Sequence, residues 1–155
     1  QPIHRPMARD QRVAYIAENP SQMMLFQDMS YLRNLTFCLP RQIDSWFRRR
    51  SIYRSLRREL TPELGAVFDK DIRDLNAQEK YALIFRRVLL QQPRVVFFEQ
   101  PFWGNDVLLQ QHIERQVQLL LAKKIAVVVL IVGIYDAFPL AERTLIYKNG
   151  HLLTQ

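Results

Sequence analysis

The sequence predicts an α/β domain built on a parallel sheet. Two short runs rich in β-branched and aromatic residues, RVVFF (94–98) and IAVVVLIV (125–132), read as strands buried on both faces, as parallel strands are. The segments on either side of RVVFF have helical periodicity and capping residues, so strand and helix alternate. The 155 residues are 48% hydrophobic and 24% charged, which excludes disorder over most of the length and suits one domain or one large piece of a bigger one.

In chain order, QRVAYIA (11–17) reads as a short strand ended by Glu18-Asn19-Pro20. Ser30 is the expected N-cap of a helix through Phe37, with Leu32 and Leu35 on one face and Pro40 beyond its end. Asp44 is the expected cap of the next helix, through Arg58, where Trp46, Phe47, Ile52, Tyr53 and Leu56 form an apolar stripe. Thr61-Pro62-Glu63 predicts a fresh helix start, with proline at the first helical position. The clearest helix is 76–91, where Asn76 and Glu79 have the spacing of a capping box. A helix over 106–122 begins at its cap Asp106, a short one is expected over 136–142, and Asn149-Gly150 predicts the turn of a closing hairpin.

Composition excludes several classes of function. No apolar run approaches the ~20 residues of a membrane-spanning helix. The single cysteine, Cys38, excludes an intramolecular disulfide and a multi-cysteine zinc site. The net charge of +7 is uneven: Arg41, Arg48, Arg49, Arg50, Arg54, Arg57 and Arg58 fall within 18 residues that hold one acid, Asp44. That window reads as a partner-binding or anion-facing surface, and equally as a solvated helix face. Read as a nucleic-acid grip, it lacks the Gly-aromatic stacking pattern of single-strand binders. The chain begins at Gln1 and reads as a part of something longer.

Four segments in order resemble the nucleotide-binding domain of ATP-binding-cassette (ABC) transporters. They are VAYIAENP (13–20) followed by LFQDMSYLRNLTF, LNAQEKYALIFRRVLLQQP (75–93), RVVFFEQPFWGND (94–106) and AVVVLIVGIYD (126–136), with ERTLIYKNGHL as a matching tail. Each alone could belong to any α/β domain; the order carries the resemblance. It implies a RecA-like P-loop core, incomplete in this chain (1–155), with a helical insertion over 20–74 and the signature-to-switch core over 75–155. It puts Glu18 on the Q-loop glutamine, and Leu75, Asn76, Ala77, Gln78 and Glu79 on the signature motif. Glu99 falls on the Walker B aspartate that holds Mg²⁺ through water, Gln100 on the catalytic glutamate, Asp106 on the D-loop aspartate and Ile134 on the switch histidine.

The same resemblance shows what has changed. No GxxxxGK[ST] occurs; the phosphate-cradling loop is expected upstream of Gln1. Gln100 is an amide and cannot accept a proton from the attacking water. Ala77 and Gln78 add side chains where the family's glycines let the backbone approach a γ-phosphate. Ile134 and Tyr135 cannot replace the histidine, and His112 and His151 are expected on the surface. Glu18, the VVFFEQPFWGNDV stretch and the missing histidine are most similar to the second cassette of fused importers of ribose and other monosaccharides. The resemblance thus implies a degenerate cassette at the cytoplasmic face of the cell membrane, with ATP and Mg²⁺ as the family's cofactors and their binding here in doubt. Its partners would be a membrane-spanning subunit and a second cassette. The alternatives are an active ATPase completed by an upstream loop, and a basic nucleic-acid-binding module. If the Walker A strand is absent, the sheet is expected to lack a neighbour beside 125–132 and 94–98, and the chain to self-associate through that gap.

Overall fold

The computed structural model describes residues 12–37, 46–102, 104–132 and 140–154. Three parallel strands, β1 (Val13–Ile16), β2 (Val95–Glu99) and β3 (Ala126–Leu130), form one sheet in the order β1-β2-β3. Between β1 and β2 the chain passes through α1 (Pro20–Met23), α2 (Tyr31–Thr36), α3 (Trp46–Leu64), 3₁₀ turns at Gly65–Asp69 and Ile72–Asp74, and α4 (Ala77–Leu90). Helix α5 (Val107–Ala122) connects β2 to β3, and β4 (Leu145–Lys148) and β5 (His151–Thr154) pair as an antiparallel hairpin. The expected α/β class with a parallel sheet is therefore present.

Register fixes which side chains share a face. Ala14 lies opposite Val96, and Ile16 opposite Phe98, which in turn faces Val129. Ala14, Ile16, Val96 and Phe98 are all buried, and they join Leu83, Ile84, Phe85 and Val88 of α4 and Ile113, Val117 and Leu120 of α5 in one core. Phe85 meets Phe98 edge-on at 5.7 Å between ring centroids, a favoured aromatic geometry. Arg87, also buried, reaches from α4 to donate to the Met24 carbonyl.

The helices before α4 are tied by polar contacts as well as apolar ones. Asn34 is fully buried; its Oδ1 accepts from the Phe26 amide at 2.8 Å, and its Nδ2 donates to the Phe26 carbonyl at 2.9 Å. The Thr36 hydroxyl donates to the Leu32 carbonyl at 2.8 Å and accepts from the Tyr53 hydroxyl at 2.9 Å, which fastens α2 to α3. Ser30 caps α2 as expected, accepting from the Arg33 amide at 3.4 Å.

Three expectations are corrected. The strands are not buried on both faces: Val95, Phe97 and Glu99 are only half-buried, and Val128 and Leu130 are exposed. Among the described residues the second face of the sheet has no helical layer, so alternation along β2 is all that burial requires. The helix through the arginine window does not stop at Arg58; it runs on to Leu64 with Pro62 inside it. Pro62 stands in the last turn of the helix, so its missing N–H and the crowding of its ring against the carbonyl four residues back disturb only that turn; Thr61 turns its hydroxyl back to the Arg57 carbonyl instead of opening a new helix. Finally, β2 is hydrogen-bonded on both sides, so it has no open edge; within this sheet β3 and β1 hold the edges. Asp44, the segment 133–139 and Cys38 lie outside the described residues, as do the side chains of Trp46 and Phe47.

Candidate functional site

Parallel strands deliver their carboxyl ends to one side of the sheet, the usual place for a site in an α/β fold. Here that end carries Glu18 and Asn19 after β1, and Glu99 and Gln100 at the end of β2. The start of α4 and the loop before α5 lie beside them. Asn19, Ser21, Gln22, Gln27, Ala77 and Lys80 line a cleft of about 430 Å³, and Glu18, Asn19, Tyr81, Gly104 and Asn105 line a second of about 400 Å³. Asn19 belongs to both.

The amino end of α4 is closed by a reciprocal cap. Asn76 Oδ1 accepts from the Glu79 amide at 2.8 Å, and Glu79 Oε2 accepts from the Asn76 amide at 2.9 Å. Lys70 donates to the other Glu79 oxygen at 3.1 Å. Burial pushes the Glu79 carboxyl up, but the Asn76 amide and the Lys70 ammonium outweigh it and hold the group below its usual value. Gln78 and Ala77 are exposed beside this cap. Asp106 is also a cap: its Oδ1 accepts from the Leu109 amide at 2.8 Å. Before it, Asn105 donates to the Tyr81 hydroxyl at 3.3 Å and to the Pro101 carbonyl at 2.8 Å.

At the end of β2 the chain turns sharply. Gln100 takes a left-handed conformation (φ 45°), and its amide donates to the Leu130 carbonyl at 2.8 Å. One residue earlier, Glu99 Oε2 accepts a hydrogen bond from the Tyr15 hydroxyl. The phenol is pushed up to about 12, by that hydrogen bond first, then by burial and by the charges of Glu99 and Glu18.

Of the residues singled out in the sequence, the structure brings Glu18 and Ala77 to clefts that share Asn19 and puts Glu99 and Gln100 at the same end of the sheet. Asn76, Glu79 and Asp106 are engaged in capping; Ile134 lies outside the described residues. His112 is not a surface residue: it is half-buried with Nε2 enclosed and unpartnered, while His151 is exposed. Tyr15, Asn19, Lys80, Tyr81 and Asn105 were not anticipated. The one signal for Tyr15 was its place in the alternation of the first strand; Asn105 had none beyond its position before Asp106.

The Mg²⁺ that the resemblance implies does not fit these groups well. Glu99 already accepts a hydrogen bond from the Tyr15 hydroxyl, the adjacent Gln100 is uncharged, and no cluster of three or more His, Cys, Asp or Glu residues stands among the described residues. A hard divalent cation asks for several oxygen donors in near-octahedral array. Among the described residues no helix is long and apolar enough to cross a membrane.

No family model matches the chain. It is similar to the lipopolysaccharide export system ATP-binding protein LptB of Acidithiobacillus ferridurans, with 27% identity over 142 residues, or 92% of this chain. The chain spans 57% of the length of that protein. That likeness supports, at the level of the family, the ABC nucleotide-binding domain that the ordered motifs resemble.

Proposed function

We propose that the chain is a cassette-like domain of an ABC transporter that binds partners and does not itself turn over ATP. The observation that carries this reading is Gln100. It leaves β2 where the family's water-activating carboxylate stands, its amide side chain cannot act as a base, and its backbone is pinned to Leu130. The ATP-binding relative supports the transporter class, and the altered signature positions Ala77 and Gln78 support the loss of turnover. The carbohydrate-importer subgroup rests on Glu18, the VVFFEQPFWGNDV stretch and the replaced histidine, and a relative named for lipopolysaccharide export lends it nothing.

The partners in this reading are a membrane-spanning subunit and a competent second cassette, with the domain at the cytoplasmic face of the membrane. Helix α3 offers the membrane subunit a basic surface: Arg50, Arg54, Arg57 and Arg58 are all exposed, and Arg57 reaches Asp69 at 2.7 Å. The edge and open face of β3, with Val128 and Leu130 exposed, are where a second copy would pair if the chain is kept apart from its partners. Phosphate release by the purified 155-residue chain with Mg²⁺ and ATP tests the reading. Release at the level of a buffer blank is expected; turnover that disappears in Gln100→Ala refutes it and favours an active cassette.

A further inference from the structure

We propose that the exposed arginine stripe of α3 docks on anionic phospholipid headgroups. Arg50, Arg54, Arg57 and Arg58 stand at i, i+4, i+7 and i+8, the spacing that puts side chains on one face of a helix, and all four are exposed. They form a row about 12 Å long at the helical rise of ~1.5 Å per residue. The other side of α3 is committed to the fold. Ile52, Tyr53, Leu56, Leu60 and Leu64 are half-buried, Leu60 and Leu64 pack on the core, and Tyr53 is hydrogen-bonded to Thr36 at 2.9 Å. These contacts fix the roll of the helix, so the arginines keep their outward face.

The chemistry of the stripe selects its partner. A protein interface closes around an apolar core, and here the side chains beside the arginines are Ser51 and Ser55, both exposed. A single strand of nucleic acid asks for aromatic faces on which bases stack, and Tyr53, half-buried, is spent on its bond with Thr36. A headgroup layer asks for neither: it offers phosphates to a row of guanidinium forks, each able to bind two oxygens. Glu59, also exposed, stands about 100° round the helix from Arg58 and further from the other three, so it does not break the row. Arg54 and Arg58 form no ion pair among the described residues. The Arg57–Asp69 pair, at 2.7 Å, is exposed on both sides and so weak enough to be exchanged for a phosphate. This docking rests on the proposed place at the membrane face, with lipid beside the membrane subunit as what the basic surface meets.

The test is flotation of the 155-residue chain with vesicles of phosphatidylcholine alone, and of phosphatidylcholine with one part in three phosphatidylglycerol, at near-physiological salt. Binding is expected to the anionic vesicles alone. Arg54→Gln and Arg58→Gln should each weaken it about fivefold, the effect of one basic side chain at a charged surface. Lys123→Gln with Lys124→Gln removes the same charge as the arginine pair, from exposed positions at the end of α5, and should leave binding within about twofold. No binding to the anionic vesicles overturns the proposal. Equal weakening by the lysine and arginine pairs also overturns it, because net charge and not the stripe would then be read. Tighter binding of DNA through the same arginines overturns it in favour of nucleic acid. The substituted side chains are all exposed, and an unchanged thermal midpoint checks that each variant is folded. ATP turnover would refute the cassette reading without touching vesicle binding, and loss of vesicle binding leaves the argument from Gln100 intact, so the two fail separately.

Discussion

The cap of α4 gives the sharpest handle on how the candidate site is built. In Asn76→Ala the acceptor of the Glu79 amide, 2.8 Å away, is gone, and the reciprocal bond from the Asn76 amide to Glu79 loses its geometric partner. Loss of an N-cap side chain costs about 1 kcal/mol. The helix as a whole survives, because Tyr81, Leu83, Ile84, Phe85, Arg87 and Val88 bury its inner face; fraying is confined to the first turn. For a chain of this size, about 1 kcal/mol lowers the melting temperature by ~2–4 °C. Glu79→Ala should cost a similar amount, since the Lys70 contact at 3.1 Å is partly exposed and adds under ~1 kcal/mol. Because each mutation breaks the same box, the double variant should lose less than the sum, with a coupling of ~0.5–1 kcal/mol. Asn76→Ser should keep nearly full stability, since serine caps as well as asparagine. Urea and thermal unfolding followed by circular dichroism measure all four. Strict additivity, or an Asn76→Ser variant as weak as Asn76→Ala, would refute the reciprocal cap. The pH dependence has a definite sign. Glu79 is held below its usual value when folded, so its contribution is present above the unfolded pKa and is lost as pH falls through the folded one; Glu79→Gln should flatten that acid limb.

Two further outcomes follow from burial. Phe98 is fully buried and meets Phe85 edge-on, so Phe98→Ala should cost about 3–5 kcal/mol in urea unfolding; a loss below ~1 kcal/mol would mean the sheet face is not closed by α4 as described. Burial and the nearby Arg115 hold the His112 imidazole below its ordinary value, so its stability contribution is full above the unfolded pKa of about 6.5 and is lost as pH falls; His112→Leu should keep its denaturation midpoint between neutral and mildly acid pH better than the parent, and equal slopes in the two proteins would count against an enclosed Nε2.

Local signals in the sequence carried far. The Asn76–Glu79 spacing, Ser30 and Asp106 as caps and the Asn149-Gly150 turn, with φ 49° and 84°, all act within a few residues, so the residue types alone specify them. What the sequence hid is nonlocal. Whether VVFF is covered on one face or two depends on which elements pack there, and a continuous apolar run looks the same in either case. Pro62 looked like a helix start because Thr-Pro has that form; the preceding turns of α3 decided otherwise. Asn34 gave no sign of its role, since its partners Phe26 and Met29 are backbone groups that any residue could offer. The Tyr15–Glu99 pair spans 84 residues and depends wholly on the register of β1 against β2.

The backbone at the candidate site separates scaffold from exception. Left-handed conformations cost non-glycine residues about 1–2 kcal/mol, so each one needs a reason. Gln92 and Lys124 follow the ends of α4 and α5, where a left-handed residue closes a helix, and Asn149 sits in the hairpin turn. Arg12, just before β1, and Gln100 have neither excuse; Gln100 leaves a strand, next to Glu99, at φ 45°. The surrounding structure holds it there through its amide bond to Leu130, in the strand beside it. Strain at the carboxyl end of a central strand is the kind a site retains when it must aim a side chain. By contrast, Asn76, Glu79 and Asp106 break no local rule, and their polar groups are spent on helix ends. On the proposed cassette reading, Gln100 keeps the strained backbone of a reactive position while its side chain carries no base, and the neighbouring polar groups serve the fold. Under that proposal, the combination is the one expected of a cassette whose shape is still constrained by pairing and docking and whose chemistry is no longer constrained by hydrolysis.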